Sequence, residues 1–171
     1  SRFPVRNFPC DLALVGDTAE VIIELAASAS MFLPTTAKLR DARRAKVADA
    51  AAERRAAVLD HAEAGRGPVM SKAFVSTCLS KAIEGRDAAI LSELGAPLEE
   101  LTLQSPDTWY QEPHSGGLGW CFPAALGMKL ARPDRLIVAT MGDGSYMFSN
   151  PVACHQIAEA AGIPLLILVL N

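Results

Sequence analysis

Three oxygen-bearing residues stand where a parallel sheet would present them together. Asp143 and Ser145 belong to Gly142-Asp143-Gly144-Ser145, which directly follows the apolar run Leu136–Met141 (LIVATM). Asn171 directly follows a second apolar run, residues 165–170 (LLILVL). Between Gly144 and Asn171 lie 26 residues, enough for a helical crossover between two parallel strands. Ligands of open parallel sheets bind beyond the carboxyl ends of the strands. The Asp143 carboxylate and the Asn171 amide carbonyl are therefore expected on one edge. Both are hard donors suited to Mg²⁺, which takes few protein ligands and completes its octahedron with phosphate oxygens and water. Gly142 and Gly144 allow a sharp turn and a close approach of backbone N–H groups to an anion. Ser145 adds a hydroxyl. The ligand these residues fit is a metal-bound diphosphate. Gly-Asp-Gly alone is also an ordinary turn sequence; the preceding strand, the crossover and Asn171 favour a binding site.

The elements that must position these residues follow from periodicity. Phe74, Val75, Cys78, Leu79, Ala82 and Ile83 form a helical stripe. Residues 87–91 read as a short buried strand, and 95–114 as a polar, proline-containing connection. Residues 118–131 read as a helix behind a glycine cluster, and 136–141 as a strand. Residues 150–161 form a helix with Pro151 in its first turn, and 165–170 a further buried strand. Strands apolar on both faces, alternating with helices, predict an α/β fold: a parallel sheet with helices on both faces. Upstream, residues 11–16 (DLALVG) read as a buried strand. Asp17 or Thr18 caps a helix from Ala19 to about Ser28. These look like the end of another α/β unit. Residues 34–66 hold eight of the sixteen Lys and Arg, with five interspersed acids and much alanine. They predict a solvated linker helix ending at Gly65-Arg66-Gly67-Pro68.

The chain has 171 residues, 50% hydrophobic and 20% charged, with mean hydropathy +0.21. That excludes intrinsic disorder and collagen-like repeats. The net charge of −3 argues against a general nucleic-acid binder. No apolar stretch approaches the roughly 20 residues that span a bilayer, and the N-terminus lacks the apolar core of a secretory signal. Cys10, Cys78, Cys121 and Cys154 are scattered, without C-x-x-C or metal-ligand spacing. A reducing, cytoplasmic setting is expected.

Two ordered blocks carry a resemblance. GDGSYMFSNPVACHQIAEAAGIPLLILVLN is similar to the Gly-Asp-Gly…Asn-Asn signature of thiamine-diphosphate-dependent enzymes of the acetolactate synthase, benzoylformate decarboxylase and pyruvate oxidase group. GGLGWCFPAALGMKLARPDRLIVATMGDG resembles the same family's run into that signature. The resemblance implies a thiamine-diphosphate-binding fold, incomplete, preceded by a remnant of a second α/β domain. Residues 1–30 would be the end of a central domain, 31–67 an interdomain linker, and 68–171 a truncated diphosphate-binding domain.

The implied activity is a thiamine-diphosphate- and Mg²⁺-dependent lyase or transferase acting on 2-oxo acids or related ketones. By motif position, Asp143 would bind the metal; the family's usual second ligand is the Asn that would follow Asn171, and Asn171 itself is read as a metal donor from its place on the sheet edge. Gly142, Gly144 and Ser145 would contact the diphosphate. Gly116 would offer its carbonyl to the aminopyrimidine, with Gly117 beside it in the glycine cluster. Leu118 matches the bulky residue that holds the cofactor bent, and is equally readable as core. Glu93, Leu94, Gly95 and Ala96 end a strand where family members touch the diphosphate; Gly95 and Ala96 would do so by backbone only. His114 would contact substrate or move protons, or is a surface-loop histidine. Trp109 and Tyr110 shape the pocket or belong to the core. His155 and Cys154 read as structural and His61 as exposed.

The sequence departs from the family at Asn171, where the second Asn of the signature does not follow. The family's catalytic glutamate belongs to another domain. The chain is thus expected to be an internal piece of a larger enzyme and inactive alone. Its partner would be a second copy, in a homodimer or homotetramer with the cofactor between subunits. FAD, bound by some relatives through the central domain, is not indicated. A non-catalytic cofactor-binding or partner subunit of the same fold, and a split enzyme, are the other readings.

Overall fold

The computed structural model describes residues 11–111 and 115–171. The chain divides into two compact units, 1–52 and 53–171. In the first, α1 (Thr18–Phe32) starts at Asp17, whose carboxylate accepts from the Ala19 and Glu20 N–H groups at 2.9 and 3.2 Å. The expected strand at 11–16 does not form: these residues lack strand structure and are exposed.

Helix α2 (Ala37–Ala64) is the alanine-rich charged helix and spans residues of both units. Within the second unit it is not merely solvated. Arg54 pairs with Glu99. The Arg55 guanidinium donates to the Glu99 and Glu100 carbonyls at 2.6 and 3.2 Å and to Thr102 Oγ1 at 2.8 Å. Helix α3 (Lys72–Ala82) is capped by Ser71 Oγ, which accepts from the Phe74 N–H at 3.1 Å. Its buried line is Ala73, Ser76 and Leu79, followed by Ile83, and Cys78 is exposed. Of the stripe read in sequence, Leu79 and Ile83 are core, Phe74 and Val75 are half-buried, and Cys78 and Ala82 are exposed.

A four-stranded parallel sheet has the order β2-β1-β3-β4, with β1 (Ala88–Glu93), β2 (Trp109–Gln111), β3 (Leu136–Met141) and β4 (Leu166–Val169). Alternation along the strands assigns the two faces. Ala89, Leu91, Ile137, Ala139 and Met141 pack with helices α4 (Cys121–Ala131) and α6 (Pro151–Ala160). Ala88, Ile90 and Val138 pack with Leu79, Ile83 and Leu101. Helices thus cover both faces. Strand β2 lies in the stretch read as connection. At three residues it is too short for a periodic signal. Strand β4 is only half-buried, because it is an outer strand of the described sheet. Among the described residues no helix is long and apolar enough to cross a membrane.

The amino ends of β1 and β3 are tied by Arg135. Arg135 is 5% exposed; its guanidinium meets Asp87 Oδ1 at 2.8 Å and donates to the Ala88 carbonyl at 3.1 Å.

Candidate functional site

After β1 the chain crosses to β2 on one side; after β3 it crosses to β4 on the other. The carboxyl ends of β1 and β3 are therefore the topological switch point, where open α/β sheets leave a crevice for ligands.

The β3 side begins at Gly142 and enters a short helix, α5 (Asp143–Phe148), where Gly-Asp-Gly predicts only a turn. Asp143 is exposed in its first turn, and among the described residues its carboxylate has no partner. Ser145 is 5% exposed. A Cβ on Gly144 would meet nothing within 4 Å, and one on Gly142 only the Leu170 carbonyl at 4.0 Å, so the backbone there is open to a ligand. Strand β4 runs beside this turn. Met141 pairs with Val169, and the Leu170 N–H donates to the Met141 carbonyl at 2.8 Å. Asn171 thus emerges next to Gly142-Asp143, as the crossover argument required.

The β1 side is built from Glu93 to Ala96. Leu94 takes a left-handed φ of 54° and is exposed, and Lys72 Nζ donates to its carbonyl at 2.7 Å. Gly95 lies directly on β3, where a Cβ would come within 2.4 Å of the Thr140 carbonyl carbon. Ala96 is buried. Its N–H donates to Thr140 Oγ1 at 3.1 Å, and its carbonyl accepts from Ser92 Oγ at 3.0 Å. Its backbone is thus committed to holding the loop. Of the two residues read as backbone contacts, only Gly95 remains open to that role.

The glycine cluster leads into α4. Gly116 and Gly119 have φ of 61° and 88°, a region glycine enters without strain. Leu118 is 50% exposed, so the core-leucine reading does not hold. Beneath it, Glu93 is 2% exposed and accepts from the Gly119 N–H at 2.6 Å and the Cys121 N–H at 2.9 Å. His114 lies outside the described residues. Trp109 and Tyr110 are half-buried against the two core faces. Cys154 is buried. His155 meets Tyr146 Oη at 2.8 Å and the Phe122 ring edge-on at 4.9 Å. His155 and His61 are both exposed.

A hollow of about 440 Å³ adjoins the β1 side, lined by Lys72, Ser92, Leu94, Gly95, Trp109 and Gln111 among others. Lys72 was not singled out from sequence, because a lysine at the start of an amphipathic helix carries no signal of its own. A larger cavity, about 600 Å³, lies at the opposite, amino edge of the sheet around Arg55, Lys81, Asp87 and Thr108. It contains none of the residues read as ligand-binding.

Among the described residues no three His, Cys, Asp or Glu side chains gather as metal ligands. One carboxylate and one amide carbonyl suit a cation that brings phosphate and water as its other ligands. Asp143, Asn171 and the open glycine backbone thus fit a Mg²⁺–diphosphate group.

Residues 96–171 match the family model of the thiamine pyrophosphate enzyme C-terminal, thiamine-pyrophosphate-binding domain. An acetolactate synthase large subunit of Corynebacterium glutamicum is 30% identical over 61% of this chain and 17% of its own length. One of Haemophilus influenzae is 39% identical over 39% of this chain and 11% of its own length. An acetolactate synthase of Mycobacterium leprae is 26% identical over 97% of this chain and 26% of its own length. The chain spans about a quarter or less of these relatives. From the match, the parallel α/β sheet and these relatives, residues 96–171 belong to the C-terminal cofactor-binding domain of the thiamine-diphosphate-dependent enzymes.

Proposed function

We propose that this chain is part of a thiamine-diphosphate- and Mg²⁺-dependent lyase or transferase of acetolactate-synthase type, acting on 2-oxo acids. The observation that carries the reading is the β3–β4 register, which brings Asp143 and Asn171 out on one edge at the switch point. Asp143 gives the metal a carboxylate and Asn171 an amide oxygen. The backbone of Gly142 and Gly144, with Ser145, receives the diphosphate. Gly95 closes that pocket from the β1 side. Gly116, Gly117 and Leu118 bear on the ring half of the ligand, and His114, two residues before Gly116, serves substrate contact or proton movement. Bound there, the cofactor supplies the carbanion that makes or breaks a C–C bond next to a carbonyl. The half-exposed Leu118 offers apolar surface that excludes water from the ring half. The working protein is a homodimer or homotetramer in the cytoplasm.

The test is a calorimetric titration of the full-length protein with thiamine diphosphate and Mg²⁺. Saturable uptake that requires the metal and is lost in Asp143→Ala is expected. Equal uptake by the variant refutes the role of Asp143. No uptake by the unsubstituted protein refutes the function.

A further inference from the structure

We propose that Glu93 is the positioning residue of this site, holding the glycine cluster so that Leu118 stands at a fixed place beside the ends of β1 and β3. The inference rests on the cofactor reading above and concerns how the chain shapes the site.

Strand β1 is Ala-Ala-Ile-Leu-Ser-Glu and every residue in it is buried. A carboxylate at its end, 2% exposed, is costly unless its oxygens are bonded. Both are. Oε1 accepts from Gly119 and Oε2 from Cys121, at 2.6 and 2.9 Å, on either side of Trp120. Trp120 occupies the N-cap position of α4 and makes no side-chain cap bond. The first turn of that helix is therefore served across 26 and 28 residues of sequence. A cap needed only for helix stability is ordinarily a local Ser, Thr, Asp or Asn. A long-range one also ties two parts of the site together.

The other side of the cluster is equally constrained. A Cβ on Gly119 would fall 2.6 Å from the Phe148 carbonyl carbon and 2.7 Å from the Ser149 nitrogen. Gly119 is thus clamped between the end of β1 and the end of α5, the helix that begins with Asp143. Leu118, immediately before it, projects half-exposed from a loop with little freedom left. An isobutyl side chain offers nothing to a diphosphate. It offers an apolar face to the organic half of the ligand. Glu93 therefore governs recognition of the ring half, whereas Asp143 and Asn171 govern the diphosphate half.

That division is what the experiment reads. Full-length protein is titrated in Mg²⁺ with thiamine diphosphate and, separately, with inorganic pyrophosphate. Glu93→Gln keeps one acceptor but sets an amide NH2 against the second N–H. It is expected to weaken thiamine diphosphate binding at least ten-fold while pyrophosphate binding stays within two-fold. Hydrogen exchange at the Gly119 and Cys121 amides is expected to accelerate, with β3 amides unchanged. Leu118→Ala trims a half-exposed side chain outside the buried core and is expected to keep the fold while showing the same selective loss. Parallel weakening of both ligands by Glu93→Gln, no weakening, or an unselective Leu118→Ala overturns the proposal. Binding that depends on Asp143 but not on Glu93 or Leu118 sinks this inference alone. An unsubstituted protein that takes up neither ligand sinks the cofactor reading and this inference with it.

Discussion

Asp143 and Asn171 leave two neighbouring parallel strands in step: Met141 pairs with Val169, the Leu170 N–H meets the Met141 carbonyl, and each residue stands two positions past that last pair. A carboxylate and an amide 28 positions apart in sequence thereby share one edge of the sheet. They differ in charge, so they should differ in effect. Asn171→Ala removes one neutral donor and should weaken Mg²⁺-dependent thiamine diphosphate binding about ten-fold, or ~1.4 kcal/mol. Asp143→Ala should weaken it further. Calorimetry on the full-length variants checks the order.

The glycines divide by what surrounds them. Gly95→Ala would place a methyl 2.4 Å from Thr140 backbone, and Gly119→Ala one 2.6 Å from Phe148 backbone at φ 88°. Each should cost about 2–3 kcal/mol. Gly144→Ala meets nothing within 4 Å and lies inside α5. It should leave the fold unchanged or more stable by up to about 1 kcal/mol, while weakening diphosphate binding. Urea midpoints rank the three.

Cys154 is 4% exposed, and burial pushes its thiol above the ordinary range, whereas Cys78 is exposed. The thiolate is the reactive form, so alkylation of the native protein at pH 8 should label Cys78 well before Cys154, as peptide mass spectrometry would show. The linkage has a definite sign. The unfolded chain ionises this thiol first, so its contribution to stability is full below the ordinary thiol range. It is lost as pH rises through the raised value. Cys154→Ala should flatten that fall.

Asp87 meets two arginines in unlike settings. Arg135 has a side chain 6% exposed at 2.8 Å; Arg132 lies at 3.4 Å and is 60% exposed, as is Asp87 itself. Asp87→Asn should cost about 1 kcal/mol, discounted because Asp87 is open to solvent, and less at 1 M salt. Arg132→Ala should fall within about 0.5 kcal/mol of the parent. Thermal melts at two ionic strengths separate the cases.

Much of the fold was legible because its signals are local. The uniformly apolar runs at 136–141 and 165–170 read as strands, Pro151 marked a helix start, and Asp17 a cap. From those, the parallel sheet and the shared edge of Asp143 and Asn171 follow. The 11–16 segment shows the limit of this reasoning: its composition suits a strand, yet it has no strand structure and is exposed.

Composition and spacing alone determined the α/β class, the charged linker helix and the Gly-Asp-Gly edge with its oxygen donors. Tertiary structure decided the rest. It placed the three-residue β2 beside β1, left β4 half-exposed as an outer strand, and bonded the backbone of Ala96 into its own loop. It also set Glu93 beneath the glycine cluster. Those outcomes depend on which backbone group or side chain arrives from 20 to 50 residues away, and no local pattern encodes that arrival. A buried carboxylate ending an apolar strand finds its purpose only when folding brings the N–H groups of Gly119 and Cys121 to it.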